Sequence, residues 1–399
     1  MQAVILAAGE GTRLRPLTAS RPKVMLRVAN RPILRFVVSA LKDAGITDLL
    51  MVVGYGKEQI MTYFEDGRRF GVSIAYVEQD KQLGTAHALA QVRTQLKPDS
   101  PFLVLPGDNI IDARTLHPVL SGEGYALVTT RSDTPSKYGV VSGGNGEPIE
   151  AIEEKPEKFD SDMVSTGIYR LDPSIFAHLE TVAAMGRNDL TSVVQHCLRR
   201  NIPVRGLPTS GRWVDAVYPW DLVTLNATAL SDHTSTAAGT VESGVVLKGP
   251  ISVGAGSVLR SGCYVEGPVV IGRGCDIGPH VVIAPSTAIG NNVQVGPFSE
   301  VRHSIIGNHC SIARGATIDH TVLGEGCQLG PNTSITSGPA TVPLEGLYLQ
   351  VPRMGAILGD DCTVGAHGAL LPGVLVGNGS TIAPMRVVRD SVPDHARVL

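Results

Sequence analysis

Residues 3–23 read AVILAAGEGTRLRPLTASRPK, with Gly9 and Gly11 set between an aliphatic run and a string of basic side chains. Glycine lets a backbone approach an anion closely, and successive N–H groups in such a turn cradle phosphate oxygens. Arg13 and Lys23 add positive charge to the same stretch. The segment therefore predicts a triphosphate-binding turn flanked by two cations. Further along, Asp108 stands in LPGDN after an apolar run and Asp215 in WVDAVYPWD. Read locally, Asp108 can be a turn residue and Asp215 a helix N-cap. They are 107 positions apart, and local sequence does not pair them.

These residues need a frame, and the chain offers two kinds. From residue 1 to about 230, apolar strand-like runs alternate with helical stretches: Val4–Ala8, a helix over Ile33–Ala44, a strand at Leu49–Val53, a helix near Gln59–Phe64, a strand at Ser73–Val77, a helix over Ala86–Gln95 and a strand at Phe102–Leu105. Alternation of this sort predicts an α/β Rossmann-like domain, a mainly parallel mixed sheet with helices on both faces. Residues 231–244 are small and polar and read as a linker. From 245 to 399 aliphatics recur every six positions, from Val253 through Leu259, Val265 and Ile271 to Val301. The step shortens to five at Val301–Ile306 and again at Ile318–Leu323, and the period returns after an interruption at Leu358. A hexapeptide period predicts a left-handed parallel β-helix, with the aliphatic pointing inward and a small residue permitting each corner. Cys263, Cys275, Cys310, Cys327 and Cys362 each lie two positions before a repeat aliphatic, so they read as core-packing thiols rather than disulfides or ligands.

With 43% hydrophobic and 18% charged residues the chain is a folding one. A net charge of −3 leaves no basic field for a nucleic-acid polymer or an anionic membrane. No apolar stretch reaches the ~18 residues of a membrane span. No basic region or cleavage site marks a secretory signal, and there is no CxxC pair. A cytoplasmic setting is expected.

The string G-E-G-T-R-L-R-P-L-T followed by P-K resembles the signature of the sugar-1-phosphate nucleotidylyltransferases. Joined to a β-helix, it is similar to the archaeal bifunctional sugar-1-phosphate nucleotidylyltransferase/acetyltransferases over nearly the whole chain. That resemblance implies a nucleotide site at Leu6, Ala8, Gly9, Gly11 and Thr12, with Gln79, Gly84 and Thr85 reading the edge of a pyrimidine, UTP or dTTP. It implies Mg²⁺ on Asp108 and Asp215, since a hard dication best neutralises the oxygens around an α-phosphorus. Arg13 and Lys23 become catalytic. Tyr138, Gly139, Glu153, Glu154, Lys155, Ser165, Thr166 and Gly167 become the sugar-phosphate end, where relatives often carry Asn at the place of Ser165. The implied substrates are an NTP and a sugar 1-phosphate (glucose 1-phosphate or N-acetylglucosamine 1-phosphate), and the implied assembly is a homo-oligomer, a trimer or a multiple, built through the β-helix.

The same resemblance implies acetyl-CoA as a second substrate if the β-helix acetylates an amino-sugar phosphate. Gly355–Asp361, GAILGDD, resembles the return into the helix after the acetyltransferase loop. The family's catalytic His and Tyr, however, fall on Arg314 and Thr317, its Asn on Gly338 and its Lys on Arg353. His303 and His320 stand as alternative general bases. They lie seventeen positions apart, one at each shortened step, so they should stack on one edge. The other reading, which the residues favour, is a stacked pair of surface-turn side chains.

Overall fold

The computed structural model describes residues 1–399. The chain forms two compact units. The first holds Met1–Glu10, Arg21–Met25 and Ile33–Asp215, and the second holds Gly11–Ser20, Leu26–Pro32 and Ala216–Leu399.

In the first unit, β1 (Gln2–Ala7) lies inside a nine-stranded mixed sheet. It pairs in parallel with β2 (Asp48–Val53) on one side and β4 (Phe102–Pro106) on the other, and β2 pairs in parallel with β3 (Ser73–Glu78). Buried β-branched and aliphatic runs suit a parallel sheet covered on both faces. Alternate residues accordingly go to opposite cores: Val4, Val52 and Val104 pack on one face, and Ala3, Ile5, Leu103 and Leu105 on the other. The helix α1 (Ile33–Asp43) turns Ile33, Leu34, Val37, Val38 and Leu41 inward, the spacing of one helical face. Beyond β4 come the short β5 (Asn109–Ile111), then β6 (Tyr125–Arg131), β7 (Gly139–Gly143), β8 (Ile149–Glu154), β9 (Met163–Leu171), β10 (Val204–Pro208) and β11 (Trp213–Asp215). The strand β9 runs antiparallel to β4, β6 and β7, which makes the sheet mixed.

The expected helix over 86–95 is shorter. α2 (Lys57–Phe64) is followed by α3 (Thr85–Ala90), and turns replace the rest. The Gln91 side-chain amide takes the His87 carbonyl at 3.1 Å, in competition with the helical ladder.

In the second unit, three parallel sheets of eight, nine and eight short strands form the left-handed β-helix. Ile251 pairs with Val269 and Val269 with Thr287, eighteen residues per coil. Ala288 then pairs with Ile305 and Ile305 with Val322, seventeen on, so each five-residue step shortens one coil by one residue. Every repeat aliphatic from Leu259 to Val388 is buried in one core with the five helix-domain cysteines. Those thiols are free, and each lies 2.9–3.1 Å from a glycine carbonyl on the next coil, as Cys310 Sγ does from Gly324 O. The interruption before Leu358 is an antiparallel hairpin, Gly338–Leu344 with Leu347–Met354. Residues 231–244, expected as a linker, carry strands Thr236–Ala237 and Thr240–Val241, which pair with the next coil. The helix thus begins inside that stretch, because small polar residues suffice for an end coil with no core above it. No helix is long and apolar enough to cross a membrane.

Candidate active site

The short antiparallel ladder of β5 with β11 is the centre of the first unit's site. Its register sets Asp215 opposite Asn109, which brings Asp108 and Asp215 to the same end of one ladder. The Lys23 ammonium sits 2.5 Å from Asp108 Oδ2, with only 17% of its side chain and 26% of that of Asp108 exposed. Tyr138 Oη donates to Asp215 Oδ1 at 2.7 Å, and the Tyr138 ring packs edge-on to Trp213 at 5.1 Å. The Trp213 indole is itself fixed by the Thr166 carbonyl at 3.2 Å. Asn109 was not picked out by sequence reasoning. Its Oδ1 is buried with no hydrogen-bond partner, and an orphaned oxygen is costly unless something else satisfies it. The signal was present in LPGDN, directly beside Asp108. Two carboxylates at one end of a ladder, with an unpaired amide oxygen beside them in the chain, are hard oxygen donors of the type that suits Mg²⁺.

The nucleotide-end residues are partly brought together. Leu6 lies in β1, followed by buried Ala8 and by Gly9, where an added Cβ would meet open space. Gln79 is 4% exposed, donates from Nε2 to the Gly84 carbonyl at 3.2 Å and lies 2.8 Å from His87 Nδ1. Gly84 has φ 132°, and a Cβ there would stand 2.4 Å from the Asn188 carbonyl, so the close approach requires glycine. Thr85 Oγ1 accepts from the Leu190 amide at 3.0 Å, which ties the start of α3 to α6 (Leu190–Arg199), after α4 (Ala113–Leu116) and α5 (Ile175–Ala184) in the chain.

Gly11, Thr12 and Arg13 belong to the second unit. Gly11 has φ 78° and its carbonyl accepts from Leu14 N at 2.9 Å and Thr18 Oγ1 at 2.8 Å. The loop is then tied to the β-helix. Arg13 Nε lies 2.9 Å from Glu345 Oε2 at the hairpin turn, Ser20 Oγ donates to Asp360 Oδ2 at 2.6 Å, and Asn378 Nδ2 donates to the Pro16 carbonyl at 3.1 Å.

The residues expected at the sugar end lie on or beside neighbouring strands. Glu154 pairs with Gly139 and Glu153 with Val140 in the β7–β8 ladder. Thr191 Oγ1 donates to Glu154 Oε2 at 2.9 Å, Lys155 N donates to the Tyr138 carbonyl at 2.9 Å, and Lys155 Nζ lies 4.0 Å from Glu154 Oε1. Ser165 Oγ accepts from Gly167 N at 3.1 Å, and Thr166 Oγ1 donates to the Val128 carbonyl at 2.7 Å. Thr166 is 2% exposed, so its side chain is packed inside the sheet. Behind them, burial pushes the Tyr169 hydroxyl up to about 12, against a lowering bond from Ser165.

His303 and His320 stack at 4.6 Å on neighbouring coils. Asp319, absent from the sequence reading, stands between them: its Oδ1 is 2.7 Å from His320 Nδ1 and 3.5 Å from His303 Nδ1. Burial alone would raise the Asp319 carboxyl, but the facing imidazoles and the Ser337 hydroxyl outweigh it and hold the group well below the usual carboxylate range.

The model for nucleotidyl transferases matches residues 2–231, more than half of the chain. The chain belongs to the nucleotidyl transferase family. A second model, the GMPPB C-terminal domain, matches residues 247–343. Across the family, a Methanococcus maripaludis protein named "Bifunctional protein GlmU" is 35% identical over 96% of this chain and 93% of its own length. A Streptomyces antibioticus glucose-1-phosphate thymidylyltransferase is 33% identical over 64% of this chain and 74% of its own. Among solved structures, a Bacillus anthracis chain named for a glucose-1-phosphate thymidylyltransferase superposes with a TM-score of 0.53 at 32% identity, covering 57% of this chain and 95% of that one.

Proposed function

We propose that this nucleotidyl transferase moves a nucleotidyl group from a pyrimidine NTP, UTP or dTTP, to a sugar 1-phosphate, glucose 1-phosphate or N-acetylglucosamine 1-phosphate. A phosphate oxygen of the sugar attacks the α-phosphorus in line, the bond to the β-phosphate oxygen breaks, and pyrophosphate leaves with the electron pair. The supporting observation is the β5–β11 ladder: it gathers Asp108 and Asp215 from distant parts of the chain, with Lys23 on one and Tyr138 on the other. Asp108 and Asp215 would hold Mg²⁺, which when bound neutralises phosphate oxygen charge. Lys23 is the protein's own cation beside that pair, and the family resemblance gives Arg13 a catalytic role as well. Gln79 and Gly84 orient the base, and Glu154, Lys155 and Gly139 orient the sugar phosphate. Rate enhancement then comes from positioning and fixed charge.

The test is pyrophosphate release across a matrix of NTPs and sugar 1-phosphates, with and without Mg²⁺. Turnover is expected with UTP or dTTP, only with the metal present, and it should vanish in Asp108→Asn while the circular dichroism spectrum is kept. Full activity in a folded Asp108→Asn protein would sink the metal assignment.

The full-length likeness to proteins named bifunctional favours a second reading, acetyl transfer from acetyl-CoA to an amino-sugar phosphate. His303 or His320 would be its base; on His320, Asp319 would fix Nδ1 and leave Nε2 to take a proton. Acetyl-CoA consumption with glucosamine 1-phosphate tests it. We further propose that the β-helix faces assemble copies of the chain into a trimer or a multiple of one, which light scattering would check.

A further inference from the structure

We propose that His303, Asp319 and His320 form a second metal site, for a divalent ion of the imidazole-preferring class (zinc, cobalt or nickel), at one corner of the β-helix. The inference does not depend on the nucleotidyl-transfer reading.

The corner is built by three successive coils. His303 follows the strand Glu300–Arg302, His320 follows Thr317–Asp319, and Ser337 follows Ser334–Ile335, and these strands pair one on the next. The first two corners are the shortened ones, and the third sends out the hairpin. The stacking repeat therefore puts like positions on top of each other, and the residue types at those positions are metal-ligand types. One donor atom from each of His303, Asp319 and His320 lies within 4.8 Å of the others.

Three details favour a cation over a simple hydrogen-bonded cluster. First, both imidazoles turn Nδ1, not Nε2, toward the same carboxylate oxygen, at 3.5 Å and 2.7 Å. Metal–nitrogen and metal–oxygen bonds of about 2.1 Å put tetrahedral ligands about 3.4 Å apart, so these donors need only small side-chain rotations to close on one ion. Second, His303 Nδ1 is buried and makes no well-formed hydrogen bond, its nearest acceptor Asp319 Oδ1 standing 3.5 Å away, although buried polar atoms rarely go unpaired. A cation would satisfy it. Third, the other Asp319 oxygen is already held: Ser337 Oγ donates to Oδ2 at 2.6 Å, Arg353 Nε donates to Ser337 Oγ at 3.1 Å, and the Arg353 guanidinium stands 3.6 Å from Oδ2. That outer layer orients the ligating carboxylate, as second partners do in protein metal sites. Arg353 is also a nearby positive charge and weakens the site without blocking its donors.

The donor set sets the class of ion. Two imidazole nitrogens and one carboxylate suit zinc, cobalt or nickel, whereas Mg²⁺ prefers an all-oxygen shell. The His303 side chain is 39% exposed, which leaves a side of the cluster open to a water as fourth ligand. A metal there would staple adjacent coils beneath the root of the hairpin, and it would remove these imidazoles from proton transfer.

The test uses the full-length chain, stripped with a chelator and titrated with Co²⁺ and Zn²⁺. One equivalent of Co²⁺ should give the visible absorption of a tetrahedral or five-coordinate nitrogen/oxygen site, displaced by Zn²⁺ and not by excess Mg²⁺. Both histidines sit at positive φ, 46° and 47°, a conformation asparagine tolerates, so His303→Asn with His320→Asn should fold and lose that equivalent. Ser337→Ala keeps all three ligands and should weaken binding about ten- to hundred-fold. Asp108→Asn should leave the signal unchanged. An unchanged Co²⁺ spectrum in the double variant, a thiolate charge-transfer band, or no binding by the wild-type chain would overturn the proposal.

Discussion

Tyr138 and Asp112 show how far a single side chain reaches in this molecule. Tyr138 Oη is a neutral donor on Asp215 Oδ1, so Tyr138→Phe removes one constraint on the carboxylate proposed to hold the metal, and no charge. Losing about 1.4 kcal/mol of such positioning slows turnover about tenfold, and steady-state kinetics should show that loss in kcat with a folded protein. Asp112 caps α4: its Oδ1 accepts from Thr115 N at 3.0 Å and from Arg212 N at 3.2 Å, just ahead of β11. Burial raises this carboxyl, but Arg114, the Thr115 hydroxyl and amide and the Arg212 amide together lower it below its ordinary value of 3.8. A depressed folded-state value means the stabilisation is present above that ordinary value and is lost as pH falls through the folded one. Denaturant melts should therefore separate wild type from Asp112→Asn near neutral pH and bring them together in strong acid.

The regular elements were the most legible part of the sequence, because both halves declare themselves locally. Inward residues such as Ile289 recur at one phase, and each coil repeats the test, so the β-helix could be read from spacing alone. Ile289 is fully buried in that core, and Ile289→Ala should cost about 2–5 kcal/mol, seen as a lower denaturation midpoint for the coil domain. The end of the first strand ahead of Gly9 was legible for the same local reason. What escaped was set by pairing over long separations. Nothing near Asp108 or Asp215 announces the β5–β11 ladder, so their partnership came only by resemblance, and Asn109 with its orphaned oxygen was passed over. Asp319 escaped because one acidic residue before a histidine looks like any turn until the coils are stacked. The end of α3 at Ala90 depended on a side-chain bond from Gln91 that a periodicity count does not see.

On the scale of the whole molecule, the division of the chain does not follow the division of its sequence motifs. The signature loop Gly11–Ser20 counts with the β-helix unit, and so do Leu26–Pro32. Within that unit, Ala29 N donates to Asn226 Oδ1 at 2.8 Å on α7 (Asp221–Leu230), and Asn30 Nδ2 donates to the Ile289 carbonyl at 2.6 Å. The coils thus hold the signature loop as well as forming a stack of their own. Removing two of the loop's holds, by Ser20→Ala with Glu345→Gln, should leave stability within about 1 kcal/mol, since both contacts are exposed. The same double variant should raise KM for the nucleotide several-fold, while KM for the sugar phosphate stays near its wild-type value. Initial-rate measurements with each substrate varied in turn would check this.

Those three holds, on Asn378, Asp360 and Glu345, also have a mechanical order. A stack of coils comes apart from its end, one neighbour at a time. Traction on Leu399 would strip the last coil and take Asn378 from Pro16, then reach Asp360 and free Ser20, then straighten the hairpin that carries Glu345. Residues 11–20 would lose these three contacts in that order, so tension on the end of the coil stack would be relayed to the signature loop one contact at a time.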